Sequence, residues 1–227
     1  IGIDSDHETY LEAAKSAADL GVAWVALHVR TAQQMYEGQA DWSAIKNLVE
    51  HLKPTGVPVL GNGDIWSGAY GVRMVKETGC AGVVVGRGCL GRPWLFADLV
   101  ESFNGGQKKV LPSLHQVSKV MYRHGELIVD YFESEDRGCR DLRKHMAWYL
   151  KGFRVHSELR RQFGMVGSLN ELRSLLNQLD DQPYPVEVAE KPRGRTSSGR
   201  PPTLPDGWLN DPDEMIHLDA EDMFSGG

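Results

Sequence analysis

Val57-Pro58-Val59-Leu60-Gly61-Asn62-Gly63-Asp64 and, one helix later, Gly82-Val83-Val84-Val85-Gly86-Arg87-Gly88 decide how this chain folds. Each opens as a short run rich in branched apolar residues, the mark of a strand buried among other elements, and each stops on glycines. Between them Ser67 can cap a helix whose apolar part is Val72, Met74 and Val75 and whose stop is Gly79. Strand, helix and strand in that order imply a parallel pair joined by a right-handed crossover. Reading backwards, Val22 to Val29 is another almost wholly apolar run, expected to be covered on both faces. A helix capped by Asp41 or Ser43, with Trp42, Ile45, Leu48, Val49 and Leu52 inward, links that run to the strand at Val57. Further back, Ser5-Asp6-His7-Glu8 has the S-x-x-E form of a capping box, before a helix carrying Tyr10, Leu11, Ala14, Ala17 and Ala18 that Gly21 ends. Three parallel strands leave unpaired edges. The expectation is that other strands precede Ile1, or that another copy or partner completes the sheet.

Working forwards, Pro93 suits the first turn of a further helix, where its missing N–H costs nothing. Beyond Asn104-Gly105-Gly106 the strands cease. Residues 113–134, about 139–163 and 168–179 read as three helices, with apolar stripes such as Leu114, Val117, Met121 and Leu169, Leu172, Leu176. From Pro183 the text turns to Pro, Gly, Arg and Ser, too poor in apolar groups to offset the entropy of ordering the backbone. The expected organisation is therefore an α/β part over 1–110, a helical bundle over 111–182 and a mostly disordered tail over 183–227.

Composition narrows the class. At 41% hydrophobic and 25% charged residues, the 227-residue chain is neither disordered throughout nor fibrous. No apolar run is long enough to span a bilayer, and the first residues lack the pattern of a secretory leader. Cys80, Cys89 and Cys139 are an odd set without a C-x-x-C pair, so neither a disulfide framework nor a structural zinc site is expected, and a cytoplasmic setting fits. The net charge of −6 is misplaced evidence about partners: residues 204–227 hold seven acids and no Lys or Arg, and removing those acids leaves a body at +1.

The two glycine turns follow consecutive strands. In parallel α/β barrels such loops commonly form a phosphate site, aided by a helix N-terminus. Glycine permits close backbone approach, Arg87 supplies a charge-assisted pair to a dianion, and Asn62 adds an amide. The plain alternative is that the glycines only make tight turns. Gly86-x-Gly88-x-x-Gly91 also matches a dinucleotide fingerprint, but no second strand with a closing acid follows, which argues against a Rossmann site. His28 closes the first strand, where barrel enzymes place functional groups, although lone histidines are more often structural. Arg30 stands two residues on, so the pair makes a rim suited to anions. Arg137, Arg140, Lys144 and Lys151 fall on one side of a helical wheel, beside a core face of Leu142, Met146, Tyr149 and Phe153. Single-signed charge with His145 and Trp148 nearby favours a phosphate-backbone surface over an ordinary solvated face.

Taken together these segments resemble one family. His28-Val29-Arg30-Thr31, Tyr36-Glu37-Gly38-Gln39-Ala40-Asp41-Trp42, Gly61-Asn62-Gly63-Asp64-Ile65 and Val85-Gly86-Arg87-Gly88-Cys89-Leu90-Gly91-Arg92-Pro93-Trp94 stand in the order and spacing of tRNA-dihydrouridine synthases. Arg143-Lys144-His145-Met146-Ala147-Trp148-Tyr149 is similar to a stretch of that family's helical domain, and the likeness covers about residues 1–180. The resemblance implies an FMN-bearing (β/α)8 TIM barrel followed by a helical domain, monomeric when the barrel is whole. It implies NADPH-dependent reduction of the uracil C5–C6 double bond in tRNA, with no metal and no membrane. By position His28 resembles the flavin-ring contact, and Asn62, Gly63, Asp64, Gly86 and Arg87 the phosphate-binding segments. Arg30, Arg137, Arg140, Lys144 and Lys151 are the expected RNA contacts.

The same resemblance sets a limit. Ile1-Gly2 looks like the end of the family's fifth strand, so the chain is expected to be a partial barrel of the last three strands. The proton-donating cysteine, a lysine-containing stretch and a glutamine flavin contact would lie before it. None of Cys80, Cys89 or Cys139 matches the catalytic position. Two other readings remain open: another FMN barrel acting on a small molecule, and a non-catalytic RNA-binding remnant.

Overall fold

The computed structural model describes residues 1–194, 197–205 and 207–209. The α/β part runs α1 (Tyr10–Asp19), β1 (Val25–His28), α2 (Trp42–Leu52), β2 (Val59–Asn62), α3 (Gly68–Thr78), β3 (Gly82–Val83) and α4 (Leu95–Phe103). The three strands form one parallel sheet in the order β1-β2-β3, as successive right-handed crossovers require. Val25 faces Val59 and His28 faces Asn62, while Gly61 faces Val83. That register brings the three strand ends, and the loops that follow them, to one edge of the sheet.

The core beneath is built by α2, whose Ile45, Leu48 and Leu52 are wholly buried together with Met74 of α3 and Leu95 of α4. Each such side chain contributes about 1.5–3 kcal/mol of burial. Asp41 caps α2 by accepting from the Ser43 N–H, one of the two caps the sequence allows. The expected box at Ser5–Glu8 does not form. Thr9 precedes α1 without a side-chain cap, while Gly2 instead bridges Glu8 and, in parallel, Thr31 just past β1. Backbone pairing has taken those residues over. Ser67 likewise sits at the start of α3 without a side-chain cap. β1 is covered on one face only: Leu27 is buried, whereas Ala26 and His28 are exposed.

Five more helices follow: α5 (Leu114–Phe132), α6 (Glu135–Tyr149), α7 (Ser157–Phe163), α8 (Leu169–Leu176) and the single turn α9 (Val186–Ala189). Their shared core includes Leu114, Val117, Met121, Leu142, Met146, Phe163 and Leu172, and Trp94 packs against it from the α/β side. The single long helix expected over 139–163 is instead α6 and α7. Gly152 adopts φ +86°, a left-handed conformation that ends the helical path, and its Cα side lies against Pro185 and Val188. Arg160 then fastens the turn by donating to the carbonyls of Leu150, Phe153 and Val155.

The expectation of little structure after Pro183 needs correcting for the described part. Arg193 is buried and donates to the Leu90 and Ala189 carbonyls, and Glu190 pairs with Lys109 at 2.7 Å. Composition missed this because the segment borrows its stability from hydrogen-bond partners on other elements. Most of the acidic tail, Asp206 and 210–227, lies outside the described residues.

Candidate functional site

Asp64 is the centre of the site. It takes a left-handed conformation, φ 51°, that turns the chain sharply after β2. Its carboxylate accepts from Arg30 at 2.8 Å, from Arg87 at 3.1 Å and from the Ala40 N–H at 2.8 Å. Three loops are thereby tied together: those after β1, after β2 and after β3. Gly63 packs so closely that a Cβ would lie 2.8 Å from both the Ala40 and Val29 side chains, and Trp42 donates its indole N–H to the Gly63 carbonyl at 3.0 Å. Asn62 holds the other side: its amide donates to the Val84 carbonyl at 2.8 Å and its oxygen meets His28 Nδ1.

A cleft of about 230 Å³ opens at this point, lined by His28, Tyr36, Asn62, Gly63, Asp64, Trp66, Gly86 and Arg87 among others. The residues singled out at the two glycine turns and at the end of β1 thus converge. Arg87 lies between two rings, with its guanidinium 4.4 Å from the centre of Tyr36 and 5.3 Å from that of Trp66. Burial lowers its pKa, the nearby Arg30 acts in the same direction, and Asp64 and Tyr36 oppose both. The group stays cationic.

Arg30 and Arg87 both pair with Asp64, and Arg30 Nε and Nη1 are buried without a hydrogen-bond partner. Buried donors left in that state carry a desolvation cost, which a nearby anion offsets. An ideal Cβ at Gly86 would meet nothing within 4 Å, so a ligand can come close to the backbone at that turn. An anionic ligand group at this turn would meet Arg87 and the Gly86 backbone. Asp64, by contrast, is fully used as an acceptor and acts as the brace of the site.

Arg30 needs correction as an expected RNA contact. Only 2% of its side chain is exposed, and it is committed to Asp64 and the Gly38 carbonyl, so it presents no charge to solvent. Lys151 does not continue the α6 stripe either. It lies past the end of α6 and donates to the Pro192 carbonyl at 2.5 Å. Arg137, Arg140 and Lys144 are exposed on α6, with Arg140 paired to Asp136 and Lys144 to Asp141 at 2.6 Å. His145 stacks edge-on against His124 and Trp148. Burial, helped by His124 and Lys144, pushes its pKa down to about 4, so it adds no charge to that face near neutral pH.

Sequence reasoning assigned no site role to Tyr36 or Trp66, which lie in the loops after β1 and β2, and placed Trp42, the first residue of α2, only as an inward-facing helix residue. No cysteine lines the cleft: Cys80 and Cys139 are buried, and the half-buried Cys89 thiol, pushed up by burial, donates to the Gly86 carbonyl at 3.1 Å. Among the described residues no group of three or more His, Cys, Asp or Glu could hold a metal ion, and no helix is long and apolar enough to cross a membrane.

Comparison with known proteins identifies the family. The family model described as Dihydrouridine synthase matches residues 1–185. A probable tRNA-dihydrouridine synthase of Mycobacterium leprae is 49% identical over 229 residues, covering all of this chain and 59% of that protein. One from Rickettsia bellii is 36% identical over 171 residues, 75% of this chain and 50% of the relative. The tRNA-dihydrouridine synthase B of Pasteurella multocida is 36% identical over 165 residues, 73% of this chain and 48% of the relative. The chain therefore spans about half to six-tenths of the length of these relatives. On the match over residues 1–185, together with these relatives, the chain belongs to the dihydrouridine synthase family.

Proposed function

We propose that this chain contributes the flavin-phosphate half of the active site and the RNA-facing helices of a tRNA-dihydrouridine synthase. Its three-stranded sheet is read as the last three strands of a (β/α)8 barrel whose other strands lie outside residues 1–227. The observation that carries the reading is the cleft in which Asn62, Gly86 and Arg87 meet, with Arg87 held against Asp64. When bound at this cleft, FMN would supply the hydride for the uracil C5–C6 double bond, with NADPH as its reductant. Within this chain Arg87 and the Gly86 backbone bind the phosphoryl group, while His28, oriented by Asn62, borders the flavin side of the cleft. Asp64 keeps Arg87 aimed, and Arg137, Arg140 and Lys144 meet the tRNA backbone.

The resemblance assigns the protonation step to a cysteine, and none of the three thiols of this chain lines the cleft. Purified 1–227, given FMN, NADPH and tRNA, should therefore form no dihydrouridine, and measurable turnover would overturn the assignment. In the protein as its gene encodes it, Arg87→Ala should weaken FMN binding by about tenfold or more while leaving riboflavin binding little changed. Equal loss for both flavins would remove the phosphate role. Reduction of small enones in preference to tRNA would favour a different FMN enzyme, and salt-sensitive RNA binding without any flavin would favour a binding remnant.

A further inference from the structure

The segment after residue 185, where the family match ends, has a path of its own, although the Mycobacterium leprae relative aligns along the whole chain. It leaves α9 against Gly152 and the α6–α7 turn, where Lys151 holds the Pro192 carbonyl. Arg193, only 5% exposed, donates to the Leu90 carbonyl at 2.6 Å and so grips the loop that carries Arg87. Gly194 follows with φ +84°, and a Cβ there would stand 3.0 Å from both Cγ and Cδ of Arg87. At the far end the Gly199 N–H donates to the Glu37 carboxylate at 2.6 Å and the Arg200 N–H to the Gln33 carbonyl at 2.9 Å. Those two contacts lie on the loop of Tyr36, whose ring centre is 4.4 Å from the Arg87 guanidinium.

We infer that this segment is a strap whose Arg193 and Gly194 are positioning residues, holding the Arg87 side chain against the Tyr36 loop so that the phosphate site is pre-formed. The argument is geometric. Arg87 has a long flexible stem, and fixing it before the anion arrives removes an ordering cost otherwise charged to binding. Arg193 fixes the loop backbone through Leu90. Gly194 lies against the stem: its φ of +84° favours glycine, and a Cβ there would crowd Arg87 Cγ and Cδ at 3.0 Å. Glu37 and Gln33 hold Gly199 and Arg200 on the loop after β1, while Arg193 and Gly194 lie on the loop after β3. The inference rests on the flavin-phosphate reading above.

The test compares FMN with riboflavin, which differ only in the phosphate, by flavin fluorescence titration of the protein as encoded. Three variants are used: Arg193→Ala, Gly194→Val, and Glu37→Ala at the exposed far anchor, where the fold is not at risk. Each should weaken FMN by roughly threefold to tenfold, with Glu37→Ala least affected, and leave riboflavin within about twofold. Thermal melts run alongside identify any variant that fails to fold, and Glu37→Ala then carries the test. Equal weakening of both flavins, or unchanged FMN affinity in folded variants, overturns the strap. A wild-type protein that binds FMN no better than riboflavin overturns the phosphate reading beneath it instead.

Discussion

At the residue scale the site depends on one carboxylate serving two guanidinium groups. The Arg30 side chain is 2% exposed, so its charge has no access to water if Asp64 is lost. Breaking a buried pair by removing one partner costs about 3–5 kcal/mol, because the remaining charge stays desolvated. Asp64→Asn should therefore lower the urea midpoint strongly without changing the slope, whereas Arg87→Ala should lower it far less, since Arg30 keeps its partner. An Asp64→Asn midpoint near the wild-type value would mean that Arg30 finds another acceptor. The motif Gly61–Asp64 was legible before the fold was known, yet the role of Asp64 was not. A sequence shows which residue follows a strand; it does not show that Arg30, 34 positions earlier, points back at it.

Elements were legible where local chemistry and packing agree. α2 combines a cap at Asp41 with an apolar stripe, and it forms where expected. The long helix over 139–163 failed because α6 ends at Tyr149, ahead of the left-handed Gly152, and Lys151, past that end, leaves the basic stripe for the Pro192 carbonyl. The remaining α6 charges give the prediction for this scale. Arg137→Ala should weaken tRNA binding and flatten the salt dependence by about one unit of slope, as one lost phosphate contact would. Arg140→Ala and Lys144→Ala should do less, because Asp136 and Asp141 already partly neutralise them. Filter binding across a salt series measures all three. Slopes that do not move would take α6 off the RNA surface.

Across the whole molecule, two apolar cores meet where Trp94, Arg92 and the strap join the α/β part to the helices. Arg92 is 1% exposed and donates to the Trp66 carbonyl and Asp98, with Glu190 alongside. The outer side of α4 is less settled: Phe96, Val100 and Phe103, spaced as one helical stripe, are 51%, 62% and 46% exposed. Exposed apolar stripes of this kind promote association. Purified 1–227 should self-associate on size-exclusion chromatography, and Val100→Lys should shift it towards the monomer. A monodisperse wild-type monomer would show that the stripe is harmless.

By itself the sequence determined the parallel βα order, the glycine turns after each strand and the family, because periodicity, caps and turn residues act over a few positions. Only the tertiary structure decided that Arg30 is a buried brace, that Lys151 belongs to the strap and that residues past 185 reach Arg87. Those outcomes depend on which surfaces meet across many residues of chain, and neither spacing nor composition encodes that directly.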